Sequence, residues 1–224
     1  MTRYFFLKRF FDFVFAGFLL LLLSPLFLVL AVAIKLSSPG PVFYRGVRVG
    51  QGGCLFRMLK FRTMVVDAEK KGASSTAEDD PRLTGIGKVL RRCKGDELPQ
   101  LWNVLRGNMS FVGPRPQVEW ATKLYKGEEK ALLSVPPGIT DYASLRFRNE
   151  AKILRGSLNP DRDYLEKIAP EKIRLGLEYA KEASLKTDLK IILATAGILF
   201  GFSPDWIFKN VGSPKKEGNL ESVK

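Results

Sequence analysis

The apolar run FFDFVFAGFLLLLLSPLFLVLAVAI extends from Phe10 to Ile34 and dominates the N-terminal part of the chain. Its only charged residue is Asp12. A straight helix of this length would measure about 38 Å, which is enough to cross a bilayer. Pro25 interrupts the run, and because proline has no N–H it leaves the carbonyl of Leu21 without its helical partner. The run therefore predicts an apolar helix that is broken at Ser24-Pro25.

Basic residues flank this run on both sides: Arg3, Lys8 and Arg9 precede it, and Lys35, Arg45 and Arg48 follow it. Basic segments favour the cytoplasmic side of a membrane, so both ends of the run are predicted to face the cytoplasm. The two arms of the broken helix, about 22 and about 15 Å long, are each shorter than a hydrocarbon core of about 30 Å. These features favour a re-entrant helix, but on charge and proline alone a straight spanning anchor is an equal alternative.

Composition limits the chemistry that the chain can perform. Its 224 residues fit one ordinary domain, and the net charge of +13 is compatible with an anionic membrane surface, nucleic acid or a phosphorylated substrate. Histidine is absent, and Cys54 and Cys93 have neither CxxC spacing nor a zinc-binding partner. Catalysis must therefore use carboxylates, lysine or arginine.

The residues after the apolar run predict a β-hairpin and several helices. Two β-prone runs flank Gly50-Gln51-Gly52-Gly53, and Lys60 and Arg62 in the second run are candidate phosphate ligands, with a solvated strand face as the alternative. A mobile polar loop is expected over 65–82. Helices are predicted over Ile86–Cys93 and Asp161–Ala183, the second divided at Pro170, and over the short apolar run Ile191–Phe202, which suits an interfacial helix or a core helix equally.

The stretch RRCKGDELPQLWNVLRGNMSFVGPRP, from Arg91 to Pro116, combines acidic, basic and turn residues. Asp96 occupies the position of a helix N-cap, Glu97 begins the helix, and Gly107 supplies its C-terminal stop. Simple capping would explain the acidic pair. Pro99 weakens that explanation because it removes one of the amides that a capping aspartate would bind.

A helix N-terminus also attracts anions, so a carboxylate and a phosphorylated substrate can share this position. Arg91 and Arg115 lie nearby in sequence and can clamp phosphate oxygens through two hydrogen bonds each. Adjacent carboxylates suit Mg²⁺, which binds a few protein oxygens together with substrate phosphates. The sequence therefore makes Asp96 and Glu97 candidate catalytic residues and candidate Mg²⁺ ligands.

Taken together, these motifs resemble the bacterial sugar transferase family, the monotopic phosphoglycosyl transferases. The resemblance covers nearly the whole chain, through KRFFD (8–12), the apolar run with Ser24-Pro25, GPVFYR (40–45), KFRTM (60–64), DELPQLWNVLRG (96–107), MSFVGPRP (109–116) and PGIT (137–140).

The resemblance implies an α/β (α+β) fold with interfacial amphipathic helices. It implies a re-entrant membrane anchor over 1–38, broken at Ser24 and Pro25, a cytoplasmic catalytic domain over 39–205 and a C-terminal tail over 206–224. The protein would lie in the bacterial inner membrane, in contact with its lipids, with the catalytic domain facing the cytoplasm.

The same resemblance implies a reaction and its residues. A UDP-sugar would donate sugar 1-phosphate to polyprenol (undecaprenyl) phosphate, with release of UMP, in the first membrane step of glycoconjugate assembly. Asp96 would form a covalent phosphosugar intermediate, and Glu97 would help to hold Mg²⁺. Arg91 matches a phosphate-binding arginine of the family, and Pro114-Arg115-Pro116 matches a segment associated with the nucleotide.

The chain departs from the family pattern at three places. Lys94-Gly95 replaces the common Ser-Leu before the acidic pair, and Asn108 replaces an aspartate. DYASLRFRNE follows PGIT in place of the commoner GWAQVNGRN, so a donor sugar cannot be carried over, and Arg146 and Arg148 there are candidate substrate contacts.

Two alternatives to covalent transfer are a direct displacement in a ternary complex, with Asp96 as general base, and a non-catalytic basic protein that binds membranes or nucleic acid. The second leaves DELPQ and GPRP unexplained, so no nucleic-acid partner is expected. The sequence does not identify the sugar, the polyprenol length, the glycan made downstream or the oligomeric state.

Overall fold

The computed structural model describes residues 2–68, 72 and 75–211. Most of the tail predicted over 206–224 and part of the loop predicted over 65–82 lie outside these residues. The described chain is rich in helices and has two small two-stranded sheets, which agrees with the predicted mixed class.

The apolar run forms two helices, α1 (Thr2–Leu22) and α2 (Ser24–Ser37), bent by 62° relative to one another. Pro25 stands in the first turn of α2, and the Ser24 hydroxyl donates a 2.8 Å hydrogen bond to the Leu21 carbonyl that the proline leaves free. The predicted break is thus confirmed. Among the described helices, none is by itself long and apolar enough to cross a membrane, whereas this bent pair meets the requirement by length and composition.

The predicted hairpin is confirmed. Strands β1 (Phe43–Val49) and β2 (Leu55–Phe61) pair antiparallel, with Phe43 opposite Phe61 and Val49 opposite Leu55. Side chains alternate along β2 because successive residues of a strand point to opposite faces. Phe56 and Met58 are buried on one face, and Arg57 between them is exposed on the other.

The stretch from Arg91 to Pro116 and the residues just before it fold as a helix, a tight turn, a second helix and a strand. These are α3 (Gly85–Arg92), a 3₁₀ turn (Gly95–Glu97), α4 (Gln100–Arg106) and β3 (Ser110–Val112). The predicted N-cap at Asp96 is wrong: α4 begins at Gln100, and its N-cap position is Pro99, without a side-chain hydrogen bond. Gly107 ends α4 at φ 85°, as predicted.

Strand β3 pairs in parallel with β4 (Gly138–Thr140), and two glycines allow the contact beside this pair. A Cβ on Gly113 would lie 2.2 Å from the Pro136 carbonyl oxygen, and one on Gly138 would lie 2.1 Å from the Gly113 nitrogen. Any larger residue would collide with backbone. The glycines of the MSFVGPRP and PGIT motifs therefore place β3 directly against β4.

The remaining helices surround these strands: α5 (Glu119–Thr122), α6 (Tyr142–Arg146), α7 (Glu150–Ile153), α8 (Pro160–Lys167), α9 (Ala169–Glu182) and α10 (Leu185–Leu199), with 3₁₀ helices at Gly127–Ser134 and Pro204–Asn210. The predicted division at Pro170 is confirmed, since α8 ends at Lys167 and the proline stands in the first turn of α9.

The main core forms between β3, α6, α9 and α10, around Val112, Tyr179 and Ile191. Helix α10 has two faces: Ile191 and Ala194 are buried, whereas Leu193 is 56% exposed. It therefore serves as a core helix on one side only. Ile207 and Val211, which belong to the tail predicted over 206–224, also pack in this core.

Candidate active site

A sharp turn presents the acidic pair. Lys94 adopts the left-handed conformation at φ 57°, which ends α3 and redirects the chain into the Gly95–Glu97 turn. Gly95 fits closely there, because an added Cβ would lie 3.2 Å from the Cys93 sulfur. The unusual Lys94-Gly95 pair thus forms the entry to the turn, and Asp96 within it is only 6% exposed.

Two cations hold Glu97. Lys60 of β2 donates a 2.9 Å hydrogen bond to Glu97 Oε1, and Arg115 binds both carboxylate oxygens, at 2.5 Å to Oε1 and 3.3 Å to Oε2. Burial alone would raise the pKa of Glu97, but Arg115 and Lys60 outweigh it and hold this pKa well below its usual value. Glu97 is therefore ionised and fixed in place.

Asp96 lies in a different environment although it is the adjacent residue. Its Oδ2 lies 3.9 Å from the Lys60 ammonium, and in the described chain its side chain forms no hydrogen bond. Burial raises the pKa of Asp96, and the negative charge of Glu97 adds to this effect, while Lys60 and Arg91 oppose it. The Asp96 carboxylate is thus available to an incoming group.

Arg91 approaches the same turn from the last turn of α3. Burial lowers the pKa of its guanidinium, and the nearby carboxylates of Asp96, Asp80 and Glu97 counteract that effect. An arginine remains cationic under such conditions. The structure therefore brings Arg91, Arg115 and Lys60, which lie on separate parts of the chain, together with the Asp96-Glu97 turn.

These residues line a large cleft of about 1780 Å³. Basic side chains outnumber acidic ones along its wall: the bases are Arg45, Arg48, Lys60, Arg62, Arg82, Lys88, Arg91, Arg92, Lys94, Arg115, Arg148, Lys152 and Lys172, and the acids are Asp67, Glu78, Asp96, Glu97 and Glu150. A concave surface of predominantly one sign concentrates ligands of the opposite charge. The cleft is therefore suited to a polyanion, with the Asp96 carboxylate inside it.

Arg62 has backbone partners at the edge of the cleft. Its guanidinium donates to the carbonyls of Ser38 and Pro39, at 2.7 Å each, and so fastens the turn after α2 to the hairpin. These bonds give Arg62 a structural function. Its predicted role as a phosphate ligand stays a prediction.

The two arginines after PGIT, Arg146 and Arg148, have different surroundings in the structure. Arg148 lines the cleft, whereas the Arg146 guanidinium stacks 5.9 Å from the Phe208 ring and is not part of the cleft wall. Because Arg146 ends α6 and Arg148 follows that helix, they need not point the same way. The role of Arg146 as a substrate contact therefore stays a prediction.

Pro114 and Pro116 line a second, mainly apolar cavity of about 270 Å³ next to Arg115. Arg115, Tyr164 and Lys172 border both cavities, so the two spaces adjoin. The predicted association of this segment with a ligand is compatible with such a position, and remains a prediction.

Lys172 is a cleft residue that sequence reasoning missed. Its ammonium forms an ion pair with Glu150 and lies 5.1 Å from the centre of the Tyr164 ring. Burial lowers the pKa of Lys172, and Glu150 counteracts this. Glu150 and Lys172 lie on α7 and α9, and no motif or short spacing in the sequence could have indicated that they meet.

Comparison with known proteins identifies the family. Residues 3–201 match the family described as bacterial sugar transferase. The chain belongs to this family. The match includes both arms of the bent helix and every element that contributes to the cleft.

Three relatives illustrate the range of the family. UDP-glucose:undecaprenyl-phosphate glucose-1-phosphate transferase of Escherichia coli is 40% identical over 193 residues, covering 84% of this chain and 39% of the relative. The exopolysaccharide production protein ExoY of Rhizobium meliloti is 38% identical over 203 residues, covering 84% and 83%. UDP-N-acetylgalactosamine-undecaprenyl-phosphate N-acetylgalactosaminephosphotransferase of Aeromonas hydrophila is 38% identical over 203 residues, covering 89% and 45%.

The chain thus spans less than half the length of two of these relatives and most of the third. Two of the printed names specify different sugars, glucose and N-acetylgalactosamine. Similarity at this level therefore does not select a donor sugar for this chain.

Proposed function

We propose that this chain transfers a sugar 1-phosphate from a UDP-sugar to polyprenol phosphate at the cytoplasmic face of the bacterial inner membrane. The observation that carries the proposal is the contrast within the acidic pair: Lys60 and Arg115 bind Glu97, while the adjacent Asp96 carboxylate remains without a hydrogen bond in the described chain. The activities named for its relatives support the same reaction.

In the first step, an Asp96 carboxylate oxygen attacks the β-phosphorus of the UDP-sugar. A bond forms between this oxygen and phosphorus, the bond from phosphorus to the bridging oxygen breaks, and UMP leaves with the electron pair. Arg91 and Arg115 bind phosphate oxygens and offset the repulsion between the carboxylate and the pyrophosphate. The enzyme then carries the sugar phosphate as an acyl phosphate on Asp96.

In the second step, a phosphate oxygen of polyprenol phosphate attacks the same phosphorus, and the Asp96 carboxylate leaves with its electron pair. The products are polyprenyl diphosphate-sugar and free enzyme. Two displacements through one nucleophile allow the two bulky anionic substrates to use the site in turn. A single basic cleft is sufficient for this order of events.

We also propose that the acidic pair holds Mg²⁺ together with substrate phosphates. Within the described residues, no group of three or more acidic or cysteine side chains can hold a metal ion by itself, but Mg²⁺ in phosphoryl-transfer sites commonly uses one or two carboxylates together with substrate phosphates. Asp96 and Glu97 would supply these oxygens. When bound, the ion would neutralise charge on the pyrophosphate and stabilise the departing UMP.

Exposed apolar side chains support membrane insertion of α1 and α2. Phe6, Leu21 and Leu28 are 74%, 78% and 67% exposed, a degree of exposure that is unfavourable in water and favourable in lipid. Because the pair is bent by 62° at Ser24-Pro25, a re-entrant path returns the chain to the face that it entered. The cleft would then meet a soluble donor and a lipid-bound acceptor at one surface.

Turnover of UDP-sugars by the purified full chain tests this proposal. With undecaprenyl phosphate, Mg²⁺ and a panel that includes UDP-glucose and UDP-N-acetylgalactosamine, we expect UMP release and a lipid-linked product from at least one donor. Asp96→Asn should abolish both, whereas Asp79→Asn, on the loop before α3, should retain them. Absence of UMP release across the panel, or full activity in Asp96→Asn, would refute the proposal.

A further inference from the structure

The side of α1 that faces the catalytic core carries polar residues with specific partners. Arg9 donates from its two terminal nitrogens to the carbonyls of Val104 and Leu105, at 2.5 and 2.7 Å. These carbonyls belong to the last turn of α4, where the Val104 oxygen also accepts a 3.0 Å hydrogen bond from the Gly107 N–H. A guanidinium at this end also interacts favourably with the helix dipole. Arg9 therefore fixes the C-terminal end of the helix that follows Asp96 and Glu97.

One turn further along α1, Asp12 contacts β3, the strand that leads to Arg115. Its Oδ1 accepts a 3.1 Å hydrogen bond from the Phe111 N–H in β3. Strand β3 leads through Gly113 and Pro114 directly to Arg115, the residue that binds Glu97. Asp12 is 6% exposed, so this bond is shielded from water.

Small residues bring α1 close enough for these bonds. Ala16 is fully buried against Val104 and Met109, and a Cβ on Gly17 would lie 3.7 Å from the Leu105 side chain. On its opposite side, α4 is braced by Asn103, which bonds to the Leu59 N–H and the Arg57 carbonyl of β2. Helix α4 thus lies between β2, which carries Lys60, and α1.

We propose that Arg9 and Asp12 are positioning residues, which together set the distance between α4, the helix that follows Asp96 and Glu97, and the β3 segment leading to Arg115. The membrane helix is on this account a structural part of the catalytic site. The kinetic part of this inference rests on the proposed transferase function. Arg9 differs in this respect from Arg3, which is exposed on the same helix and carries the same charge.

Comparing Arg9→Ala with Arg3→Ala separates positioning from membrane topology, because both changes remove one positive charge from the N-terminal flank. With a UDP-sugar that the unmodified chain turns over, Arg9→Ala should lower kcat about tenfold or more with KM for the donor changed less than twofold, since small misplacements of catalytic groups are costly. Arg3→Ala should change neither. Arg9→Lys, which keeps the charge and one donor, should recover part of the rate.

Asp12 offers a second pair of variants. Asp12→Ala removes the acceptor for the Phe111 N–H and should lower kcat by a similar factor. Asp12→Asn keeps an acceptor oxygen at the same position and should restore most of the rate. Equal losses in Asp12→Ala and Asp12→Asn would contradict a role that acts through this hydrogen bond.

Hydrogen exchange supplies a readout that does not need the reaction. In the full-length protein in detergent, Arg9→Ala should increase amide exchange in 100–108, and Asp12→Ala should increase it in 109–115, while Arg3→Ala leaves both segments unchanged. This result would support the inference even if no UDP-sugar were turned over. Equal rates and equal exchange in Arg9→Ala and Arg3→Ala would overturn the inference. A rise in exchange throughout the chain in Arg9→Lys would also overturn it, because Arg9 would then support the whole fold and not α4 in particular.

Discussion

At the scale of single residues, two adjacent carboxylates acquire different properties because their neighbours differ. Glu97 accepts hydrogen bonds from Lys60 and Arg115, which hold its pKa well below the usual value, whereas burial raises the pKa of Asp96. A nucleophile benefits from the second environment, since a carboxylate without strong hydrogen bonds retains its reactivity. A metal ligand benefits from an environment like that of Glu97, where neighbouring cations keep the carboxylate ionised and fixed.

Lys60 should control the ionisation of Asp96. Its ammonium lies 3.9 Å from Asp96 and opposes the rise in the pKa of that carboxyl. In the proposed mechanism the attacking Asp96 is ionised, so the rate should fall as the pH drops through the pKa of this carboxyl. Lys60→Met should raise the pKa of Asp96 further, so the acid limb of the kcat/KM profile should move to higher pH.

The matched control for Lys60→Met is Arg57→Met, on the exposed face of the same strand. Arg57→Met should leave the position of the acid limb unchanged. If Lys60→Met lowers the rate equally at all pH values, or moves the limb to lower pH, the electrostatic role assigned to Lys60 is wrong.

Much of the site was predictable from the sequence because its residues lie in local motifs. Asp96 and Glu97 stand together in one motif, and Arg91 and Arg115 lie within twenty residues of them. The contacts of Arg62 and Arg146 were not predictable, because their partners, the Ser38 carbonyl and the Phe208 ring, belong to other parts of the chain. Sequence patterns give residue types and spacing, but not these long-range contacts.

At the scale of elements, the parallel contact between β3 and β4 depends on glycine. A Cβ on Gly113 would meet the Pro136 carbonyl oxygen at 2.2 Å, and backbone cannot move aside cheaply. Gly113→Ala should therefore reduce the free energy of unfolding by about 1–3 kcal/mol. Because Arg115 follows two residues later, activity should fall as well.

Gly85→Ala is the control for Gly113→Ala, since a Cβ there meets no atom within 4 Å and the residue opens α3. It should be neutral or slightly stabilising. Thermal unfolding of both variants in the same detergent measures the difference. If Gly113→Ala were as stable as Gly85→Ala, the close contact between β3 and β4 would contribute nothing measurable to the free energy of unfolding.

The bent helix is the second element that can be tested. In a chain lacking Cys54 and Cys93, single cysteines at Thr2 and Ser213 should show the same accessibility from the cytoplasm in intact cells. Replacing Ser24 and Pro25 together by alanine restores a regular helix and should move the Thr2 site to the opposite face in part of the population. Pro41→Ala, outside the helices, should have no effect.

Opposite accessibility of the two cysteines in the otherwise unmodified chain would rule out the re-entrant helix.

The sequence predicted the break itself, because Pro25 and Ser24 act locally, and the structure confirms it. It did not predict that each arm packs on the domain, with Ala16 against Val104 and Ile34 against Phe61. Such packing joins residues far apart in the chain.

At the scale of the whole molecule, the basic cleft and the apolar helices belong to one structure. Lys8, which was expected to be a flanking charge, is only 4% exposed and forms a 2.7 Å ion pair with Asp188 of α10. Removing one partner of a buried pair leaves an uncompensated charge, at a cost of about 3–5 kcal/mol. The anchor expected over 1–38 and the catalytic domain are therefore joined by buried polar contacts.

The central claim is that Asp96 becomes covalently attached to the sugar phosphate. Incubation of the purified full chain with a UDP-sugar that it turns over and Mg²⁺, without polyprenol phosphate, followed by mass spectrometry of the protein, tests it directly. We predict UMP release of about one equivalent per chain and a sugar phosphate adduct on the peptide containing Asp96, both absent in Asp96→Asn. UMP release only after polyprenol phosphate is added, or an adduct that persists in Asp96→Asn, would contradict the account and favour a direct displacement.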